Sequence, residues 1–150
     1  MKIIIDGDAC PSIPIIENTA KQNNIEILIF CDVNHLIRSD YSIVKIVDSG
    51  FQMVDMYVIN ETKAFDIVIT QDYGVAALCL SKKAYAINPS GLIYTNENID
   101  RLLENRHISE QIRRAGGRTS GNKKRSLKED EKLISNLKIL INKALDQKTD

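Results

Sequence analysis

The chain has 150 residues, 43% hydrophobic and 27% charged, which suits one soluble globular domain with a sizeable core. Lys and Arg number 20 against 20 Asp and Glu, so the formal net charge is zero. No apolar run approaches the roughly 20 residues that a membrane-spanning helix needs.

The charge is unevenly placed. Residues 1–112 hold 9 Lys and Arg against 15 Asp and Glu, whereas residues 113–150 hold 11 against 5. An acidic body with a basic tail suits a metal held by the body and phosphates neutralised by the tail. Attraction between the two halves, or a solvated tail helix, accounts for the same pattern. Only His35 and His107 are present, which leaves little for a His-rich metal site or a His-based triad. Cys10, Cys31 and Cys79 lack metal-ligand spacing and read as reduced thiols of a cytoplasmic protein. The N-terminus runs straight into a strand, with no signal-peptide pattern.

Ile3-Ile4-Ile5 predicts a first strand covered on both faces, because three β-branched residues in a row leave no polar side. It ends in Asp6-Gly7-Asp8, where Gly7 permits a tight backbone path between two acids. Pro11 is placed to open a helix, in which Ile13, Ile16 and Ala20 recur at helical spacing up to Asn23-Asn24. Cys10 at that helix start reads as a packed or capping residue. No second Cys two residues away makes a redox pair, and no Arg completes a phosphate loop.

Ile25 to Phe30 is a second strand ending at Cys31-Asp32, and Asn34 to Asp40 is a loop or short helical turn. Ile43 to Val47 is a third strand, and Phe51 to Lys63 a helix with Phe51, Val54 and Val58 on one face. Asp66 to Thr70 is a fourth strand, followed by Gln71-Asp72 and a buried helix over Val75 to Leu80. Ala84 to Ile87 is a fifth, ending at Asn88-Pro89-Ser90-Gly91. Ile99, Leu102 and Leu103 define a helix expected to break near Arg106-His107. A short helix then runs to Arg114 and stops at Gly116-Gly117.

Alternating strands and helices predict a parallel sheet with helices on both faces. Each strand is followed closely by an acid or amide: Asp6 and Asp8, Asp32 and Asn34, Asp48, Asp72, Asn88. In a parallel sheet these ends share the edge where ligands bind, although acids there also cap helices. Asp32 and Asp48 are the ones assigned first to capping. With strand order 3-2-1-4-5, Asp6, Asp8, Thr70 and Asp72 face one crevice. That gives hard oxygen ligands suited to Mg²⁺ or Mn²⁺. Asp55, one turn into the helix after strand three, is either a further ligand or a solvated acid.

Gly116 to Arg125 is glycine-rich, polar and basic, and six of the thirteen residues from Arg113 to Arg125 are Lys or Arg. Glycine-loop amides with flexible cations suit phosphate contacts, and a disordered basic linker has the same composition. Residues 115–126 are therefore read as a basic loop within a single domain of 1–150. Ser126 and Glu129 form a capping box for an amphipathic helix over 127–146. Its Leu133, Leu137, Leu140 and Ala144 must meet the body or, in a homodimer, a second copy.

Together these landmarks resemble the YaiI/YqxD family, which is similar to PIN-like domains whose members include metal-dependent ribonucleases. The matching pieces are Asp6-Gly7-Asp8-Ala9-Cys10-Pro11, Gly50 to Asp55, Thr70-Gln71-Asp72, Asn88-Pro89-Ser90-Gly91 and Arg113-Arg114-Ala115-Gly116-Gly117-Arg118. They cover nearly the whole chain. The resemblance implies a three-layer α/β/α sandwich whose mainly parallel sheet has about five strands, with acids at the strand ends holding Mg²⁺ or Mn²⁺. It carries Asp6, Asp8 and Asp72 onto the family's acidic positions. Where the family usually has two acids three residues apart after strand three, this chain has Gln52 and Asp55, with Met56 next. Asn122 stands where a proline is common.

Three functions compete. A metal-dependent nuclease for RNA or single-stranded nucleic acid uses Asp6, Asp8 and Asp72 for the metal, with Asp55 on a second metal or the water. Thr70 positions the phosphate or a bound water, and Arg113, Arg114, Arg118, Lys123, Lys124 and Arg125 grip the backbone. A haloacid-dehalogenase-like phosphatase uses Asp6 as nucleophile and Asp8 as general acid, but Cys10-Pro11 depart from that signature. A non-catalytic RNA-binding or regulatory domain is the third, and Gln52 is the feature that supports it.

Overall fold

The computed structural model describes residues 1–7, 10–50, 52–116 and 126–148, with the backbone alone at 106–108, 110, 113, 114 and 148. Three consecutive isoleucines make β1 (Ile3–Asp6), and all three side chains are fully buried. Strand alternation sends Ile3 and Ile5 to one face and Ile4 to the other. The strand is therefore covered twice, which explains its lack of a polar side.

The remaining elements are α1 (Ile13–Gln22), β2 (Ile27–Asp32), β3 (Ile43–Val47), α2 (Met53–Glu61), β4 (Ile67–Ile69), α3 (Tyr73–Ser81), β5 (Tyr85–Ile87), β6 (Ile93–Tyr94), α4 (Asn96–Arg114) and α5 (Leu127–Lys148). The sheet order is β3-β2-β1-β4-β5-β6, parallel throughout except for the antiparallel β5–β6 pair. The expected order of the first five strands is present. β6 is an addition, since two residues are too short to show any periodicity.

Helices α1 and α5 cover one face. Ile16 and Ala20 of α1, with Leu133, Leu137, Leu140 and Ile141 of α5, pack on Ile3, Ile5, Ile27, Ile29, Ile67, Ile69 and Ile87. The apolar side of α5 is thus buried against its own sheet, each large side chain contributing about 1.5–3 kcal/mol. Ser126 caps that helix by accepting from the Glu129 N–H at 3.3 Å, as the capping box predicts. On the opposite face, Val54 and Val58 of α2 and Val75 and Cys79 of α3 meet Ile4, Leu28, Phe30 and Val68. Helix α4 packs on α3 through a third cluster of Ala76, Ala86, Tyr94 and Ile99. The result is the three-layer α/β/α arrangement.

Several local expectations are corrected. Pro11 lies in a turn ahead of α1; Ser12 is the N-cap, and Pro14 supplies the early proline. Helix α4 is continuous through Arg106 and His107, because that polar stretch contains no Pro or Gly to interrupt the hydrogen-bond ladder. Helix α2 starts at Met53, after Gln52 takes a left-handed conformation (φ 61°) and turns the chain into the helix. Phe51, expected on the α2 face, lies outside the described residues, as do 117–125 of the basic loop.

Candidate active site

In a parallel sheet the C-terminal ends of neighbouring strands lie side by side. Ile5 of β1 pairs with Ile69 of β4, so the next residues, Asp6 and Thr70, stand together at the switch point. Thr70 is buried at 1% exposure, and all its polar atoms are engaged. Its hydroxyl donates to Asp6 Oδ2 at 3.1 Å and accepts from the Asp72 N–H at 3.0 Å. Its N–H donates to the Ile87 carbonyl at 3.1 Å, and its carbonyl accepts from the Tyr94 hydroxyl at 3.0 Å. One hydroxyl proton can go to only one acceptor, so this network directs it to Asp6.

Asp72 follows as the N-cap of α3. Its Oδ1 accepts from the Val75 N–H at 3.1 Å. An ionised carboxylate has about four lone-pair positions, so capping and cation binding are compatible. The α3 N-terminus also favours negative charge at this point.

Tyr94 is a site-supporting residue that the sequence reading missed. It sits on β6, the strand too short to recognise, and it accepts from Asn88 Nδ2 at 2.7 Å while donating to Thr70. Burial pushes its phenol well above the usual range. Asn88 also accepts from the Ser90 N–H at 2.9 Å, so it shapes the β5–β6 turn and acts on the site only through Tyr94. Gly91 closes that turn at φ +97°, where a Cβ would come within 2.8 Å of the α5 backbone. Two landmark segments, Thr70-Gln71-Asp72 and Asn88 to Gly91, are therefore one hydrogen-bonded unit.

Gly7 is required by close approach. A Cβ there would lie 2.7 Å from the Phe30 carbonyl and 2.7 Å from Ile37 Cδ1. Asp32 accepts from the Asn34 N–H at 2.8 Å and from His35 Nδ1 at 2.9 Å, and the bond to His35 holds its carboxyl below the usual carboxylate range. Asp48 is exposed beyond β3. Asp55 is half-buried in the first turn of α2, which begins at the same sheet edge.

Asp8, Arg118, Lys123, Lys124 and Arg125 lie outside the described residues, and Arg113 and Arg114 are located by backbone only, at the end of α4. Among the described residues, Asp6, Thr70 and Asp72 are brought together, and no group of three His, Cys, Asp or Glu side chains gathers for a metal ion. No described helix is long and apolar enough to cross a membrane.

A family model described as "Uncharacterized BCR, YaiI/YqxD family" matches residues 4–143, from β1 to within α5. The chain belongs to the YaiI/YqxD family. Relatives from this family agree over almost their full lengths. A UPF0178 protein of Clostridium perfringens is 59% identical over 143 residues, covering 95% of this chain and 96% of the relative. One from Clostridium kluyveri is 57% identical over 141 residues, with 94% and 93% covered. One from Clostridium acetobutylicum is 45% identical over 143 residues, with 94% and 97% covered. No solved structure matches the chain. Gln52, ahead of α2, has an exposed side chain.

Proposed function

We propose that the chain is a metal-dependent nuclease acting on RNA or single-stranded nucleic acid at the C-terminal sheet edge. The observation that carries this reading is the Thr70 hydroxyl, buried between the Asp6 carboxylate and the Asp72 backbone. It fixes two acids at the place where open α/β sheets bind ligands. Oxygen donors of this kind match the chemistry of Mg²⁺ or Mn²⁺. Asp6 and Asp72, joined by Asp8, would hold the ion, with Asp55 as a further carboxylate at that edge. When bound, the ion activates water and offsets charge on the scissile phosphate. Thr70 keeps the Asp6 carboxylate in one orientation, and Tyr94 keeps Thr70 in place. The cations from Arg113 to Arg125 neutralise the nucleic-acid backbone. A reducing cytoplasmic setting belongs to this reading and is supported by the buried thiols of Cys31 and Cys79.

The test is incubation of purified protein with labelled single-stranded RNA and Mn²⁺, beside Asp6→Asn and Asp72→Asn. Metal-dependent cleavage lost in both variants is expected. Cleavage that persists in Asp6→Asn contradicts the assignment. The Thr70–Asp6 contact also fits a phosphatase with Asp6 as nucleophile. Turnover of a phosphomonoester with phosphate trapped on Asp6 would favour that reading instead.

A further inference from the structure

The β2–β3 connection, residues 33–42, is held at Ile37 and from Ser39 to Ser42 and exposes its first four residues. Ile37 packs into the main core and against Gly7, which places the loop beside the Asp6-Gly7 turn. Further along, Ser42 donates to Glu17 Oε2 at 2.7 Å, and Ser39 donates to the same oxygen. Ser39 Oγ in turn accepts from the Ser42 N–H at 2.9 Å. The Tyr41 hydroxyl donates to the Ile25 carbonyl, and Lys21 lies 5.3 Å over the Tyr41 ring. Ahead of Ile37, Val33 is 51% and Leu36 61% exposed, beside exposed Asn34 and His35, and Arg38 just after it is exposed as well. Such a strip contributes little to the core, yet it is held firmly at the sheet edge.

His35 is the most constrained of these groups. Its Nδ1 lies 2.9 Å from Asp32 Oδ1, and a carboxylate there requires Nδ1 to donate. With Nδ1 donating to Asp32, Nε2 lies on the far side of the ring and, in the imidazolium, carries a hydrogen of its own. Asp6 and Asp72 repel a phosphodiester, so a backbone crossing this edge needs cationic donors close by.

We propose that this loop is the surface on which single-stranded nucleic acid lies beside the acidic edge, with His35, oriented by Asp32, donating from Nε2 to a backbone phosphate oxygen. Val33 and Leu36 offer apolar contact to unstacked bases, and Arg38 supplies a second cation. The proposal rests on the nuclease reading and names a contact of that site away from the metal.

The test measures binding of a fluorescein-labelled single-stranded RNA decamer in Ca²⁺ by anisotropy, alongside calorimetric titration of Mn²⁺. His35→Ala should weaken RNA binding about tenfold, as expected for one charge-assisted hydrogen bond. His35→Lys should recover most of it, and Asp32→Asn should show part of the loss. Mn²⁺ affinity should stay within about twofold of wild type throughout, because His35 meets the phosphate and not the ion. Lys63→Ala, at the opposite, N-terminal edge of the sheet just ahead of β4, controls for general charge and should bind RNA normally. RNA binding unchanged in His35→Ala overturns the proposal and leaves the nuclease reading standing. So does loss of Mn²⁺ affinity in parallel with RNA, which would put His35 in the acid cluster. A wild-type protein that takes up Mn²⁺ but holds no RNA overturns both.

Discussion

The two edges of the sheet treat a carboxylate in opposite ways. At the N-terminal edge, Asp66 precedes β4 and is 3% exposed. It accepts from the Lys2 N–H at 3.0 Å, the Lys2 ammonium at 2.8 Å and the Lys63 N–H at 2.9 Å. A cation and two amides close that site, and its effect is to tie β1 to the start of β4. At the C-terminal edge, Asp6 is half-buried, and the neutral hydroxyl of Thr70, just past β4, bonds it. The same two strands thus carry a neutralised acid at one end and, at the other, an acid linked through Thr70 to the Asp72 backbone. Charge neutralisation by Lys2 fits a structural role for Asp66, and the orientation that Thr70 gives Asp6 is what the proposed metal site would use.

The contrast is broken most severely at Asp66. Asp66→Asn leaves the Lys2 ammonium without its counter-charge in a partly buried place and should cost about 3 kcal/mol. Urea unfolding of the variant measures this, and a loss below about 1 kcal/mol would make the pair ornamental. Thr70→Val keeps the shape but removes the bonds to Asp6 and Asp72. We expect a loss of about 1–2 kcal/mol by the same assay and weaker Mn²⁺ binding by calorimetry, so that one substitution couples stability to the site.

Tyr94→Phe should cost about 1 kcal/mol. Its signature is alkaline. The folded phenol ionises at higher pH than the unfolded one, so its contribution is present below about pH 10 and is lost as pH rises beyond that. The stability gap between wild type and Tyr94→Phe should therefore narrow between about pH 9.5 and 11, read by urea melts across that range. The smallest effect concerns Asp32. Its carboxyl titrates below the usual range chiefly because of His35, and His35→Ala should return that titration upward, followed by NMR. In the pair, the stabilisation is present near neutral pH and is lost as acid protonates Asp32.

Much of the architecture was legible because apolar runs of three to six residues with no polar face point to strands buried on both sides. Ile3 to Ile5 and Ile67 to Ile69 are such runs, and the acids that follow them lie at the C-terminal edge of the sheet. The short strand β6 was not legible, since Ile93-Tyr94 shows no period, and Tyr94 was missed with it. The expected break in α4 came from polarity at residues 104–107, which a surface helix tolerates. Pro11 and Pro14 both sit near a helix start, and composition alone does not choose between them. Of the residues expected at one edge, Asp6, Thr70 and Asp72 lie together there, and Asp8 lies outside the described residues. The bond from the Thr70 hydroxyl to Asp6 has no signal in the sequence, because it joins residues 64 positions apart. Gly7 was expected to permit a tight path; the reason is the closeness of the Phe30 carbonyl and Ile37, which no local pattern encodes.

The most direct test of the account is calorimetric Mn²⁺ titration of wild type and Asp6→Asn, with urea unfolding of each. The account predicts that Asp6→Asn loses at least tenfold in Mn²⁺ affinity while its stability stays within about 1 kcal/mol, the reverse of Asp66→Asn. Unchanged Mn²⁺ affinity in Asp6→Asn would contradict it and leave both edges structural.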